Sequence, residues 1–274
     1  MKRTWISLGV VGLVLLTATL AGAAPMPEAG TGLPRDVSLD GHRIDFLLKT
    51  ASMGIAVLFL IMVGIIVWAM IKHRPPHRAA YDHGTGRHSA MVAMAISGTV
   101  FFGLDGWLYV NAMIDLDKGF WNFPAKDDPA ALKVEVNAQQ WAWNFRYAGP
   151  DGKWNTRDDI VTLNDLRVPV DTPIVFNMGS KDVIHSLYFP NLRVKQDAVP
   201  GNITHMWMQA KETGEFDIAC AQHCGTHHYK MKGLLTVLSK DDYARWAEQA
   251  SADGVRVFDE KRSEEQWGWE WEER

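Results

Sequence analysis

The sequence predicts a membrane-anchored all-β protein, a two-helix hairpin followed by a β-sandwich or barrel. Two observations predict it. Two apolar runs of membrane-spanning length stand between residues 51 and 114. From about residue 131 the pattern changes to short apolar runs, some alternating, separated by Gly, Pro, Asp and Asn. The 274 residues are 47% hydrophobic, enough for a buried core, and the formal charge of -4 argues against a nucleic-acid binder with a broad basic face. Much of that charge is local, because residues 251 to 274 hold eight acids against four bases.

The first element, "MKRTWISLGVVGLVLLTATLAGAAP", has Lys2 and Arg3, an apolar run and small residues ending in "AGAA". This is the layout of a secretory signal with cleavage near Ala23, and an uncleaved anchor is the other reading. The second, "ASMGIAVLFLIMVGIIVWAMI" (51–71), is uncharged and long enough to span the hydrocarbon core as a helix. The third, "SAMVAMAISGTVFFGLDGWLYVNAMI" (89–114), is also long enough but carries Asp105, which at that depth is expected to face protein or water. The connector between them has Lys72, Arg74, Arg78 and Arg87 against Asp82, so the positive-inside rule puts it in the cytoplasm and both chain ends outside. The bias is modest, since Arg35, Arg43 and Lys49 precede the first span.

In the domain that follows, Leu132, Val134 and Val136 alternate, and Trp141, Trp143, Phe145 and Tyr147 stand two apart as on one face of a strand. "GPDG" signals a turn. Strand-like runs continue at "LRVPV", "PIVFNM", "HSLYF", "ITHMWMQA", "EFDIAC" and "GLLTVL". "SKDDYARWAEQA" (239–250) reads as a closing helix capped by Ser239, followed by a charged, Trp-rich tail. The expected division is a signal at 1–24, the hairpin at 25–118, the β-domain at 119–250 and the tail at 251–274.

Between two of these strands lies "CAQHCGTHHYKM" (220–231), with both cysteines of the chain, three histidines and a methionine. A Cys220–Cys224 disulfide suits an exported domain, although so short a loop would constrain the unfolded chain little. Structural zinc would use thiolates and imidazoles but has no need of a thioether. Copper suits the soft thiolate and thioether together with imidazole. One cysteine with histidines and a methionine would make a mononuclear site. Two cysteines on one loop allow both sulfurs to bridge two coppers, and "DVIHSLYF" supplies a second histidine, His185.

"DVIHS", "KQDAVPG" and "CAQHCGTHHYKM" with "GLLTVL" closely resemble subunit II of the cytochrome c oxidase (haem-copper oxidase) family. The family pattern, D-x-x-H-S and then C-x3-C-x3-H-x2-M, is matched by Asp182, His185, Cys220, Cys224, His228 and Met231. The two-helix hairpin and Q-W-x-W at Gln140, Trp141 and Trp143 belong to the same resemblance. It implies a cupredoxin-like Greek-key β-barrel on the periplasmic side of a bacterial inner membrane, holding binuclear copper, Cu(A). Cys220 and Cys224 would bridge the metals, His185 and His228 would complete one each, and Met231 and the Gln222 carbonyl would bind weakly. Trp141 would be where electrons from cytochrome c enter, on their way to the haem of subunit I, where oxygen is reduced to water.

Some residues depart from the pattern. Gln222 stands where many relatives have a Glu that helps to hold magnesium, which puts magnesium in doubt. "RHSAMVAMAISGTVF" has neither the Glu that feeds a proton channel in many relatives nor W-T-x-x-P. His223 and His227 fall outside the ligand register. Asp158, Asp159, Asp241 and Asp242 could steer a basic cytochrome or could equally be solvated loops. The alternatives are the copper subunit of a nitric oxide reductase, a copper-free quinol oxidase subunit, which the full ligand set argues against, and a membrane-bound copper-binding protein.

Overall fold

The computed structural model describes residues 33–78, 83–125 and 128–257. The expected signal (1–24) and the tail beyond residue 257 lie outside them. Helix α1 covers Gly41–Lys72, 32 residues or about 48 Å at 1.5 Å per residue. Helix α2 covers Arg87–Phe120, and both helices are long and apolar enough to cross a membrane.

Both helices overrun the expected spans, 51–71 and 89–114, toward the β-domain. Polar contacts account for the overhang. Asp45 pairs with Arg193 Nε at 2.7 Å, and Arg43 Nη1 reaches Asp115 Oδ1 at 3.1 Å. The Trp207 indole donates to the carbonyls of Gly119 (3.0 Å) and Phe120 (3.2 Å), satisfying acceptors that the end of a helix leaves open. Gly54 lets the helices approach, since a Cβ there would sit 2.7 Å from Leu104 Cδ2. α2 widens into π-helical turns over Val100–Asp105 and Leu116–Phe120, and Asp105 is exposed at the end of the first.

Ten strands follow: β1 Leu132–Gln139, β2 Ala142–Tyr147, β3 Ile160–Leu163, β4 Asp165–Pro169, β5 Ile174–Ser180, β6 His185–Phe189, β7 Val194–Ala198, β8 Thr204–Met208, β9 Gly214–Cys220 and β10 Lys232–Leu238. They form two five-stranded sheets, ordered β3-β2-β1-β5-β8 and β4-β10-β9-β6-β7. The β1/β5 and β4/β10 pairs are parallel and the others antiparallel.

Alternate residues of the strands turn inward, so Val134, Val136, Trp143, Phe145, Phe176 and Met178 of one sheet share a core with Leu166, Leu187, Phe189, Ile218 and Leu235 of the other. This is the cupredoxin-like β-fold. β3 and β7 have no counterpart among the strand runs read from sequence. Trp141 does not share the face of Trp143, Phe145 and Tyr147; it sits with Gln140 in the turn that joins β1 to β2.

β1 and β2 also bury a charged cluster. Arg146 is 1% exposed and donates from Nε to Glu135 Oε2 (2.7 Å) and from Nη1 to Asn155 Oδ1 (2.6 Å), with a second carboxylate, Asp159 Oδ2, 3.9 Å away. Burial, opposed by Arg146, pushes the Glu135 carboxyl up to about 7. Burial sets the direction, and the neighbouring Asp159 carboxylate adds to it in a smaller measure.

Helix α3, Lys240–Val257, closes the domain. The Asp242 N–H donates to Ser239 Oγ at 3.1 Å, the cap expected from the sequence. α3 continues past the expected end at 250 because Ser251 Oγ bonds the Asp158 carbonyl (2.9 Å) and Gly254 packs close to the Asp159 carbonyl. Removing the cap with Ser239→Ala is expected to cost about 1 kcal/mol, read as a lower denaturant midpoint.

Candidate metal centre

Every side chain picked out as a ligand from the sequence converges on one end of the β-domain. β6 begins at His185, whose side chain is fully buried. β9 ends at Cys220, the loop 221–231 turns back, and β10 leaves from Lys232. The loop is pinned at both ends, by the Ala221 N–H to the Ser186 carbonyl (3.0 Å) and the Cys220 N–H to the Met231 carbonyl (3.2 Å).

His185 Nδ1 lies 3.1 Å from Met231 Sδ, and Met231 Sδ lies 3.7 Å from Cys224 Sγ. Cys224 Sγ is 3.7 Å from Cys220 Sγ and 3.5 Å from His228 Nδ1. The Gln222 carbonyl oxygen is 3.1 Å from Cys220 Sγ. The ligand atoms of His185, Cys220 and Cys224 all lie within 4.8 Å of one another, and this trio could hold a metal ion. The cysteines are free thiols, well beyond the roughly 2 Å of a disulfide.

The two thiols titrate in opposite directions. Burial opposes ionisation of Cys220, but hydrogen bonds from His185, the Ser186 and Gln222 backbone and His228 outweigh it and bring the thiol down to about 6. Burial pushes the Cys224 thiol up to about 12, helped by the negative charge on Cys220. A cation between the sulfurs would remove the second proton as well. Burial likewise opposes the charge on His185, yet Cys220 and Asp182 raise its proton affinity.

A set of contacts that the sequence did not reveal holds the cluster in place. Asp182 Oδ1 lies 2.9 Å from His185 Nε2, so Nδ1 is the ring nitrogen turned toward the sulfurs. Asp182 Oδ2 accepts the Gln140 N–H at 2.6 Å. The Gln140 side chain in turn donates to the Cys224 carbonyl at 2.8 Å, and the Trp141 indole donates to the same oxygen at 3.2 Å. Gly225 permits this approach: its φ is +118°, and a Cβ there would lie 2.9 Å from Gln140 Nε2 and 3.3 Å from the Trp141 ring.

The histidines outside the ligand register pack on other rings. His227 lies against Trp141 with centroids 4.5 Å apart, and His223 stacks on His228 at 5.5 Å. The acids do not gather here. β2 runs from Ala142, beside the cluster, to Tyr147 at the far end, and β10 runs from Lys232 to Leu238, so Asp158, Asp159, Asp241 and Asp242 lie at or beyond the opposite end.

A cupredoxin-like domain with a cluster that could hold a metal ion, preceded by two helices long and apolar enough to cross a membrane, defines the class to which the chain is compared. Residues 152–237 match the family model described as the periplasmic domain of cytochrome c oxidase subunit II. The alternative cytochrome c oxidase subunit 2 of Bradyrhizobium diazoefficiens is 37% identical over 141 residues, 43% of this chain and 51% of the relative, so the chain spans about half of that protein's length. The heme-copper oxidase subunit 2 of Aeropyrum pernix is 31% identical over 66% of this chain and 79% of the relative. Among solved structures, the periplasmic domain of subunit II of cytochrome oxidase from Bradyrhizobium japonicum is 28% identical, covers 44% of this chain and 94% of that one, and superposes with a TM-score of 0.40. The chain belongs to the cytochrome c oxidase subunit II family.

Proposed function

We propose that this chain is subunit II of a respiratory cytochrome c oxidase, taking electrons from cytochrome c and passing them to the haem of subunit I for the reduction of oxygen to water. The observation that carries this reading is the convergence of two thiols, two imidazole Nδ1 atoms, a thioether and a backbone carbonyl at one point. Six donors exceed the four of a tetrahedral zinc site, and the soft sulfurs favour copper.

His185, Cys220, Gln222 through its carbonyl, Cys224, His228 and Met231 would hold a binuclear Cu(A) centre. When bound, the copper pair supplies a one-electron carrier. The chain's own part is to keep the donor atoms fixed. Asp182 orients His185, while Gln140 and Trp141 grip the carbonyl of Cys224. Trp141, half-buried and one hydrogen bond from the cysteine loop, is the group through which electrons would enter. Gln222 offers no carboxylate, so a magnesium ion would need its ligands from elsewhere.

α1 and α2 would both cross the bacterial inner membrane, their connector on the cytoplasmic side and the copper domain outside, against subunit I and the other oxidase subunits. Electron paramagnetic resonance on the full chain, reconstituted with Cu(I) and Cu(II), tests the reading. Two coppers per chain and a seven-line hyperfine pattern are expected, the signature of one electron shared by two equivalent nuclei. One copper with a four-line signal, or zinc in its place, would overturn it. Trp141→Phe is expected to keep the spectrum and slow reduction by ferrous cytochrome c at least about tenfold, measured by stopped flow.

A further inference from the structure

The face of the domain that carries the cluster is bounded by Gln140 and Trp141, the loop 181–184, and the loop 221–231. Its exposed charged side chains are Lys181, Lys230, Lys232 at the start of β10, and a single acid, Asp182, so lysines outnumber carboxylates three to one. The one carboxylate in these segments, Asp182, is turned to internal partners, His185 and the N–H groups of Gln140 and Val183. Lys181 and Lys230 form no ion pair with any described carboxylate. Beyond Asp182, exposed acids stand on the adjoining strands: Asp217 of β9, diagonal to Lys232, and Asp197 of β7, which shares its strand face with Lys195. Exposed apolar side chains lie among the lysines, with Ile184 at 42% and Tyr229 at 69%.

We propose that this face docks a c-type cytochrome whose haem edge is ringed by acidic side chains rather than lysines. The inference rests on the electron-relay reading above and deepens it. Val183, Ile184 and the Trp141–His227 ring pair would meet the apolar haem edge, while Lys181 and Lys230 attract the rim. Charge at a docking face chiefly sets the encounter rate and the choice of partner. The step moves one electron from the donor's ferrous iron, which becomes ferric, to the copper-loaded chain, and no bond or proton changes place.

The probes are a lysine-rich cytochrome c and the same cytochrome with its lysines succinylated, each tested against the full chain in nanodiscs. Stopped flow gives the reduction rate of the copper-loaded chain, and biolayer interferometry gives binding to the metal-free chain, both between about 20 and 200 mM salt, where the screening length changes several-fold. The succinylated form is expected to react and bind at least about fivefold better at low salt and to lose that advantage as salt rises. Lys181→Glu with Lys230→Glu is expected to reverse the order. Preference for the lysine-rich form, or equal behaviour of the two, would overturn the proposal. If copper is absent or no electron passes, the relay reading fails, and binding to the metal-free chain still decides the charge of the partner.

Discussion

Cys220→Ser is expected to reduce copper binding from two ions per chain to at most one and to remove the seven-line signal. The reason is positional. Cys220 Sγ has Cys224 Sγ on one side, at 3.7 Å, and the Gln222 carbonyl on the other, at 3.1 Å, so it is the sulfur that ties the weak carbonyl donor to the rest of the cluster. A serine hydroxyl is a hard donor that is not ionised at neutral pH, so it does not bridge two soft cations. His185 also loses the thiolate that helps to raise its proton affinity. The fold should survive, because Cys220 is only half-buried at the end of β9 and the change keeps its size. Metal content, the spectrum and a melting curve of the metal-free variant separate the two effects. Two coppers with the seven-line pattern intact would remove Cys220 from the ligand set. Met231→Leu makes a graded comparison: losing a weak thioether should change the hyperfine splitting and the potential while two coppers remain.

What the sequence disclosed depended on how strongly each element writes itself into the residue pattern. β5 and β10 are dense in apolar residues and read clearly as "PIVFNM" and "GLLTVL". β7 is an edge strand whose five residues are Val, Lys, Gln, Asp and Ala, so it buries too little to leave a pattern. β3, the other unread strand, is four residues long, with acids before it and Asn-Asp after it. The candidate ligands were legible through chemistry, since few arrangements need two thiolates, an imidazole and a thioether within twelve positions. Their support was not. Gln140 reaches Cys224 across 84 positions, and nothing in the sequence near either residue announces that contact. The placement of Trp141 failed for a related reason: a period of two continues through a turn as easily as through a strand, and only pairing fixes where β2 begins. The acidic pairs Asp158–Asp159 and Asp241–Asp242 were visible as charges, but strand direction decides which end of the domain they occupy. The overhangs of α1 and α2 belong to the same class, since charged turns such as His42 to Asp45 are helical because the β-domain grips them.

Arg146→Met is expected to destabilise the β-domain by about 3–5 kcal/mol, the largest effect on stability predicted for any single residue of the chain. Methionine fills much of the space of the arginine stem, so the cost comes from what it leaves behind. Glu135, 1% exposed, and Asp159, 8% exposed, would face each other with no cation between them. The pH dependence carries the diagnosis. In the wild type the Glu135 carboxyl is raised from 4.5 to about 7, so the folded state holds this proton more tightly than the unfolded state. Its contribution to stability is fully present below about 4.5 and is lost as pH rises through about 7. Glu135→Gln fixes the uncharged form, leaves Asp159 as the carboxylate beside Arg146, and should flatten that fall between pH 5 and 8. Arg146→Met should steepen it, because the carboxylates then bind protons more tightly still. Urea midpoints of the three proteins across that range provide the test. An Arg146→Met variant within about 1 kcal/mol of wild type at pH 8 would mean that the carboxylates are already neutral when paired, and the cluster would then be a set of hydrogen bonds rather than a buried ion pair.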